Sequence, residues 1–67
     1  MSLPNLKKLR NDRNISQKEL AEQFQVVPRT IRKWENGESD PSTAQLIALA
    51  DYFGVSLDYL VGRSDEK

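Results

Sequence analysis

The stretch VVPRTIRKWENG, residues 26–37, holds the side chains with the most chemistry to offer. Wound as a helix over residues 28–36, it turns about 100° per residue. With Ile31 at zero, Val27 and Trp34 fall at about −40° and −60°, which makes one apolar stripe. Arg29, Arg32, Lys33 and Asn36 fall between about 100° and 200°, on the far side. That side gathers two guanidinium forks, an ammonium and an amide, all of them hydrogen-bond donors. A solvated charged face is the ordinary explanation for such a cluster. The sharper one is a face built to touch something anionic.

Other chemistry is scarce. The chain has no Cys and no His, which removes thiolate and imidazole catalysis, the usual zinc sites and any disulfide framework. Catalysis would fall to carboxylates, Lys, Ser or Tyr, and no pair of them has a recognisable spacing, so an enzyme is not expected. With 67 residues the chain makes one small domain. Only about 60% of the surface of a chain this short is buried on folding, leaving hardly any room for a ligand cavity. No cofactor and no small-molecule ligand are expected. No apolar run approaches the roughly 18 residues of a membrane span, and no secretory signal is visible. The absence of Cys fits a reducing cytoplasm, which is the expected location.

Net charge is zero, but the distribution is uneven. Residues 1–37 hold eight basic residues (Lys7, Lys8, Arg10, Arg13, Lys18, Arg29, Arg32, Lys33) against four acids, giving +4. Residues 38–67 hold two against six, giving −4. Such asymmetry suggests a basic working surface and an acidic remainder.

The elements that position the donor cluster are marked by their caps. Pro4 suits a first helical turn, Leu6 and Leu9 supply an apolar face, and Asn14 tolerates the left-handed stop after Arg13. Ser16 and Glu19 form a capping box opening a second helix with Leu20, Ala21 and Phe24 inward. Gln25-Val26-Val27 connects it to Pro28, which opens the third; Asn36-Gly37 closes that one. Ser42 and Gln45 form another capping box, followed by Leu46, Leu49, Ala50 and Phe53 at helical spacing and Gly54 as a stop. Ser56 begins a short fifth helix with Leu57, Leu60 and Val61. The expected fold is all-α, five helices and no strand over residues 1–62, with a charged, disordered tail over 63–67.

Two helices of about eight residues joined by a short connector, with small Ala21 in the first, outline a helix-turn-helix. Leu9-Arg10, Ser16-Gln17, Leu20-Ala21, Ile31, Trp34-Glu35-Asn36-Gly37, Pro41 and Gly54-Val55-Ser56 add jointly specific spacing. Over residues 6–61 the chain resembles the phage-repressor and Cro-like helix-turn-helix family, the XRE type of transcriptional regulator. That resemblance implies a lambda-repressor-like domain that binds double-stranded DNA, as a regulator and more often a repressor.

It also implies roles for single residues. Ser16 and Gln17 stand at the start of the helix before the turn, where relatives contact a backbone phosphate; a helix N-terminus favours an anion. Pro28, Arg29, Thr30, Arg32 and Lys33 match base-facing positions, with Asn36 further along the same face. Arg can bridge guanine O6 and N7, and each such pair discriminates by about 1–3 kcal/mol. Thr43 matches a position that in some relatives reaches toward the minor groove. Arg10 and Glu35, which lean toward the core side, are implied to pair with each other in a structural role, and Trp34 is read as core.

Three departures stand out. Gln25 occupies a place where relatives have Gly, so a non-Gly residue has to adopt a strained turn. Val27 replaces the usual Ser or Thr, losing a cap worth about 1 kcal/mol. Glu38 and Asp40 stand where relatives often carry basic residues, which implies fewer phosphate contacts and a shallower salt dependence.

A single recognition helix reads few base pairs, so a homodimer is expected on half-sites about 34–36 Å apart. Leu57, Tyr59 and Val61 are the candidate dimer contacts. The rival reading is a protein-interaction module, such as an antitoxin or adaptor, that retains the fold but uses an apolar face.

Overall fold

Each helix of the computed structural model starts and stops where the local chemistry dictates. The structure describes residues 3–66, so Met1, Ser2 and Lys67 lie outside it. The helices are α1 Leu6–Asp12, α2 Gln17–Gln23, α3 Pro28–Asn36, α4 Thr43–Phe53 and α5 Leu57–Leu60, and the described residues contain no strand. The all-α, five-helix expectation holds. The Ser16–Glu19 and Ser42–Gln45 capping boxes are both formed, each hydroxyl accepting the amide three residues on. Ser56 caps α5 in the same way, accepting the Tyr59 amide.

All five helices end alike. Asn14, Gln25, Gly37, Gly54 and Gly62 have φ of 56°, 56°, 78°, 66° and 84°. After each, the next amide reaches back five residues to a carbonyl: Ile15 to Arg10, Val26 to Ala21, Glu38 to Lys33, Val55 to Ala50 and Arg63 to Asp58. This is the Schellman arrangement, in which the left-handed residue lets the chain satisfy two orphan carbonyls and turn sharply. Gln25 is strained as expected, a non-Gly side chain in the left-handed region. Gly62 has a second reason for its identity. A Cβ there would stand 2.8 Å from Pro4 Cγ.

The core comprises Leu3, Leu6, Leu9, Leu20, Ala21, Ile31, Trp34, Leu49, Ala50, Phe53, Tyr59 and Leu60, with Ile15, Phe24, Val26, Leu46, Val55 and Val61 packed against it. Three polar ties join helices across it. Arg10 reaches Glu35, linking α1 to α3. Arg13 donates from its guanidinium to the carbonyls of Tyr52 and Phe53, closing the C-terminus of α4, and stacks over the Phe53 ring. A cation at a helix C-terminus also complements the dipole there. Asn5 Nδ2 donates to the Tyr59 carbonyl at 2.6 Å, fixing the entry of α1 against α5.

Several expectations need correction. α1 begins at Leu6, two residues after Pro4, and Leu3 ahead of it is wholly buried. Val27 does not continue the apolar stripe: it is the extended N-cap of α3 and is 60% exposed. Arg13 serves α4 and not the basic working surface. Tyr59, expected on a dimer surface, is 4% exposed and completes the core, and Val61 is half-buried against it. Leu57 alone of that trio stays open. In residues 63–66, the Arg63 amide bonds back to the Asp58 carbonyl, and the Ser56 hydroxyl donates to the Glu66 carbonyl.

Candidate nucleic-acid interface

α3 is anchored by three inward side chains, Ile31, Trp34 and Glu35. Ile31 and Trp34 are fully buried, and the Glu35 carboxylate is only 3% exposed. Glu35 has no solvent to satisfy it, so its oxygens are filled by protein. Arg10 Nε donates to Oε2 at 2.8 Å and Nη2 to Oε1 at 3.4 Å. Gln17 Nε2 donates to Oε1 at 3.0 Å. Arg10 spends its remaining nitrogen on the Ile15 carbonyl at 3.0 Å, inside the turn between α1 and α2. One buried carboxylate therefore fixes α1, the head of α2 and the end of α3 together.

The outward side carries the donors. Arg29 and Arg32 are exposed, and with Gln17 and Pro28 they line one shallow, open cleft between the N-termini of α2 and α3. Thr30 and Lys33, on the same helix, are half-buried. Because a carboxylate repels a carbonyl oxygen, Glu35 holds the Gln17 amide with its NH₂ inward, leaving one N–H for an outside acceptor. The site can thus take an oxyanion at Gln17 while two guanidinium forks reach past it.

This fold is shared with solved structures. The P22 c2 repressor, in complex with a synthetic operator, matches with a TM-score of 0.83 at 26% identity, over 96% of this chain and 98% of that one. A transcriptional regulator from Listeria innocua matches with a TM-score of 0.83 at 36% identity, over 94% of this chain and 59% of that one. The model of the helix-turn-helix family matches residues 6–60. The chain belongs to the helix-turn-helix family.

Curated relatives agree. The HTH-type transcriptional activator BcrR of Enterococcus faecalis is 38% identical over 56 residues, 84% of this chain and 28% of that protein. The HTH-type transcriptional regulator ImmR of Bacillus subtilis is 33% identical over 60 residues, 90% of this chain and 47% of that protein. The 26 kDa repressor protein of Escherichia phage HK022 is 40% identical over 50 residues, 75% of this chain and 21% of that protein. The chain spans between about a fifth and a half of these relatives' length.

Within this helix-turn-helix, α2 and α3 are the paired helices and α3 is the one whose donors face out. The predicted residues Gln17, Pro28, Arg29 and Arg32 come together in the cleft, and Thr30 and Lys33 also lie on α3. Ser16 precedes them as the cap of α2, and Thr43 is exposed at the first turn of α4. Asn36 is exposed at the end of the same helix, and its Nδ2 donates to Glu38 Oε2 at 3.4 Å. The Gln17–Glu35 and Asn36–Glu38 contacts were both missed by sequence reasoning, since each depends on rotamers that no spacing encodes. No helix among the described residues is long and apolar enough to cross a membrane.

Proposed function

We propose that this chain binds double-stranded DNA sequence-specifically in transcriptional regulation, with α3 in the major groove and the head of α2 on the backbone. The observation that carries it is the division of α3. Ile31, Trp34 and Glu35 are spent inward, and Arg29 and Arg32 stand exposed around one cleft with Gln17. Arg29 and Arg32 read base edges, Lys33 and Ser16 serve phosphates, and Gln17 takes a phosphate through its one free N–H. Pro28 and Thr30 contribute shape and methyl contact, and Thr43 lies toward the flanking groove. Two copies bind an inverted repeat. With Tyr59 in the core, the exposed contact available for pairing in α5 is Leu57. The named relatives include both an activator and a repressor, so this domain serves either sense of regulation.

Selection from a random duplex library at low salt tests this, with an Arg29→Ala/Arg32→Ala control. An enriched inverted repeat that the control fails to enrich is the expected result. A folded protein with no salt-sensitive affinity for any duplex overturns it.

A further inference from the structure

We propose that Glu38 is an intramolecular competitor for phosphate: its carboxylate occupies the Asn36 amide at the end of α3 and so weakens sequence-independent binding to duplex DNA. The proposal rests on the DNA-binding reading above. Asn36 is the last residue of α3 and is exposed on the donor side. Its Nδ2 donates to Glu38 Oε2 at 3.4 Å. The Glu38 backbone amide is held on the Lys33 carbonyl at 2.9 Å by the Schellman turn at Gly37, so Glu38 is tethered one step beyond the helix.

The electrostatics of α3 follow from this. Its N-terminal half presents Arg29 and Arg32. Its last turn carries Lys33, and beyond it Glu38 adds a carboxylate to the negative pole of the helix dipole. A phosphate approaching Asn36, past Lys33, meets a like charge and a donor already in use. Binding then leans on the guanidinium contacts at the other end, which read base edges and carry sequence discrimination. Glu38 thereby lowers affinity for the excess of unspecific sites more than it needs to lower affinity for the operator, where base contacts fix the register.

The test measures fluorescence anisotropy of the whole chain against a random-sequence duplex, from about 50 to 200 mM salt. Wild type, Glu38→Ala and Asn36→Ala/Glu38→Ala are compared, each first shown by circular dichroism to be folded. Glu38→Ala is expected to bind about three- to tenfold tighter at the low-salt end, with a steeper salt slope because a like charge has left the path of the phosphate. The double variant is expected to keep the share of that gain owed to the removed charge and to lose the share owed to the released Asn36 amide. If wild type binds and Glu38→Ala matches it in affinity and slope, the proposal is overturned while the DNA reading stands. A tighter Glu38→Ala whose gain survives in full in the double variant also overturns it, because Asn36 is then not the released group. If no variant shows salt-sensitive affinity, the DNA reading itself falls, and the proposal with it.

Discussion

Arg10→Met breaks the buried ion pair that ties α1 to α3. It removes two of the three donors to Glu35, Nε at 2.8 Å and Nη2 at 3.4 Å, and leaves Gln17. The Glu35 side chain is 3% exposed, so water does not replace them. Stranding a buried charge in this way costs about 3–5 kcal/mol. Loss of the Nη1 bond to the Ile15 carbonyl adds about 1 kcal/mol. A domain of 67 residues has a total stability of about 3–10 kcal/mol, so the variant stands near the edge of unfolding. Its Tm is expected to fall by about 16 °C or more. Arg10→Met/Glu35→Leu removes both charges together, and apolar replacement of a whole buried pair is often neutral or better. The double variant should therefore recover to within about 1–2 kcal/mol of wild type. Urea unfolding followed by the fluorescence of Trp34, the one Trp and a core residue, reads both. A single variant within 1 kcal/mol of wild type, or a double variant no better than the single, would refute the account of Glu35 as a buried charge dependent on Arg10.

Three further outcomes follow from particular contacts. Gln25→Gly relieves a side chain held at φ 56° and should stabilise by about 0.5–1 kcal/mol, read as a rise of a few degrees in Tm; no rise would mean that the turn is unstrained. Arg29→Ala should cost about 1–3 kcal/mol of operator affinity and relax preference at one base position, whereas Lys33→Ala should weaken all duplexes alike and flatten the salt slope by about 0.9; parallel binding titrations on operator and random duplex separate them. Tyr59→Ala should destabilise the fold by about 3–5 kcal/mol, as loss of a buried aromatic does, while Leu57→Ser leaves Tm within a few degrees; equal effects in thermal melts would contradict the burial of one and exposure of the other.

The helix ends were the most legible feature, because their signals are local. A Ser three residues ahead of Glu19 or Gln45 specifies its own hydrogen bonds, and both boxes formed. Gly54 and Gly37 stop their helices for the same local reason. What stayed hidden was set by distance across the fold or by departures from ideal geometry. Val27 was assigned to the apolar stripe by counting 100° per residue, but as a cap it has φ −83° and ψ 154°, and the count does not apply. Tyr59 lies in a four-residue helix, too short for periodicity to tell inside from outside. Leu3 precedes the first helix and has no period at all. At the site, the cleft residues were legible as one face of one helix. Gln17 joined them only through resemblance, and its bond to Glu35 lies between helices that no single periodicity relates.

The layout of α3 separates stability from recognition along nine residues. Residues 31, 34 and 35 face the core, and residues 29 and 32 face out. A substitution at Ile31 or Trp34 touches no outside partner, so it can weaken binding only by reducing the folded population. Apparent affinity then scales with the folded fraction, and a stabilising co-solvent restores it. A substitution at Arg29 or Arg32 leaves the folded fraction alone, and no co-solvent recovers its loss. Glu35 is the residue that joins the two behaviours, because the same carboxylate that holds Arg10 also orients the Gln17 amide. In Arg10→Met/Glu35→Leu the fold returns but the amide has lost its inner acceptor. Duplex affinity in that variant should therefore stay below wild type at full folding, by an amount that Gln17→Ala does not deepen. An affinity equal to wild type would mean that Gln17 needs no help from Glu35 to meet a phosphate.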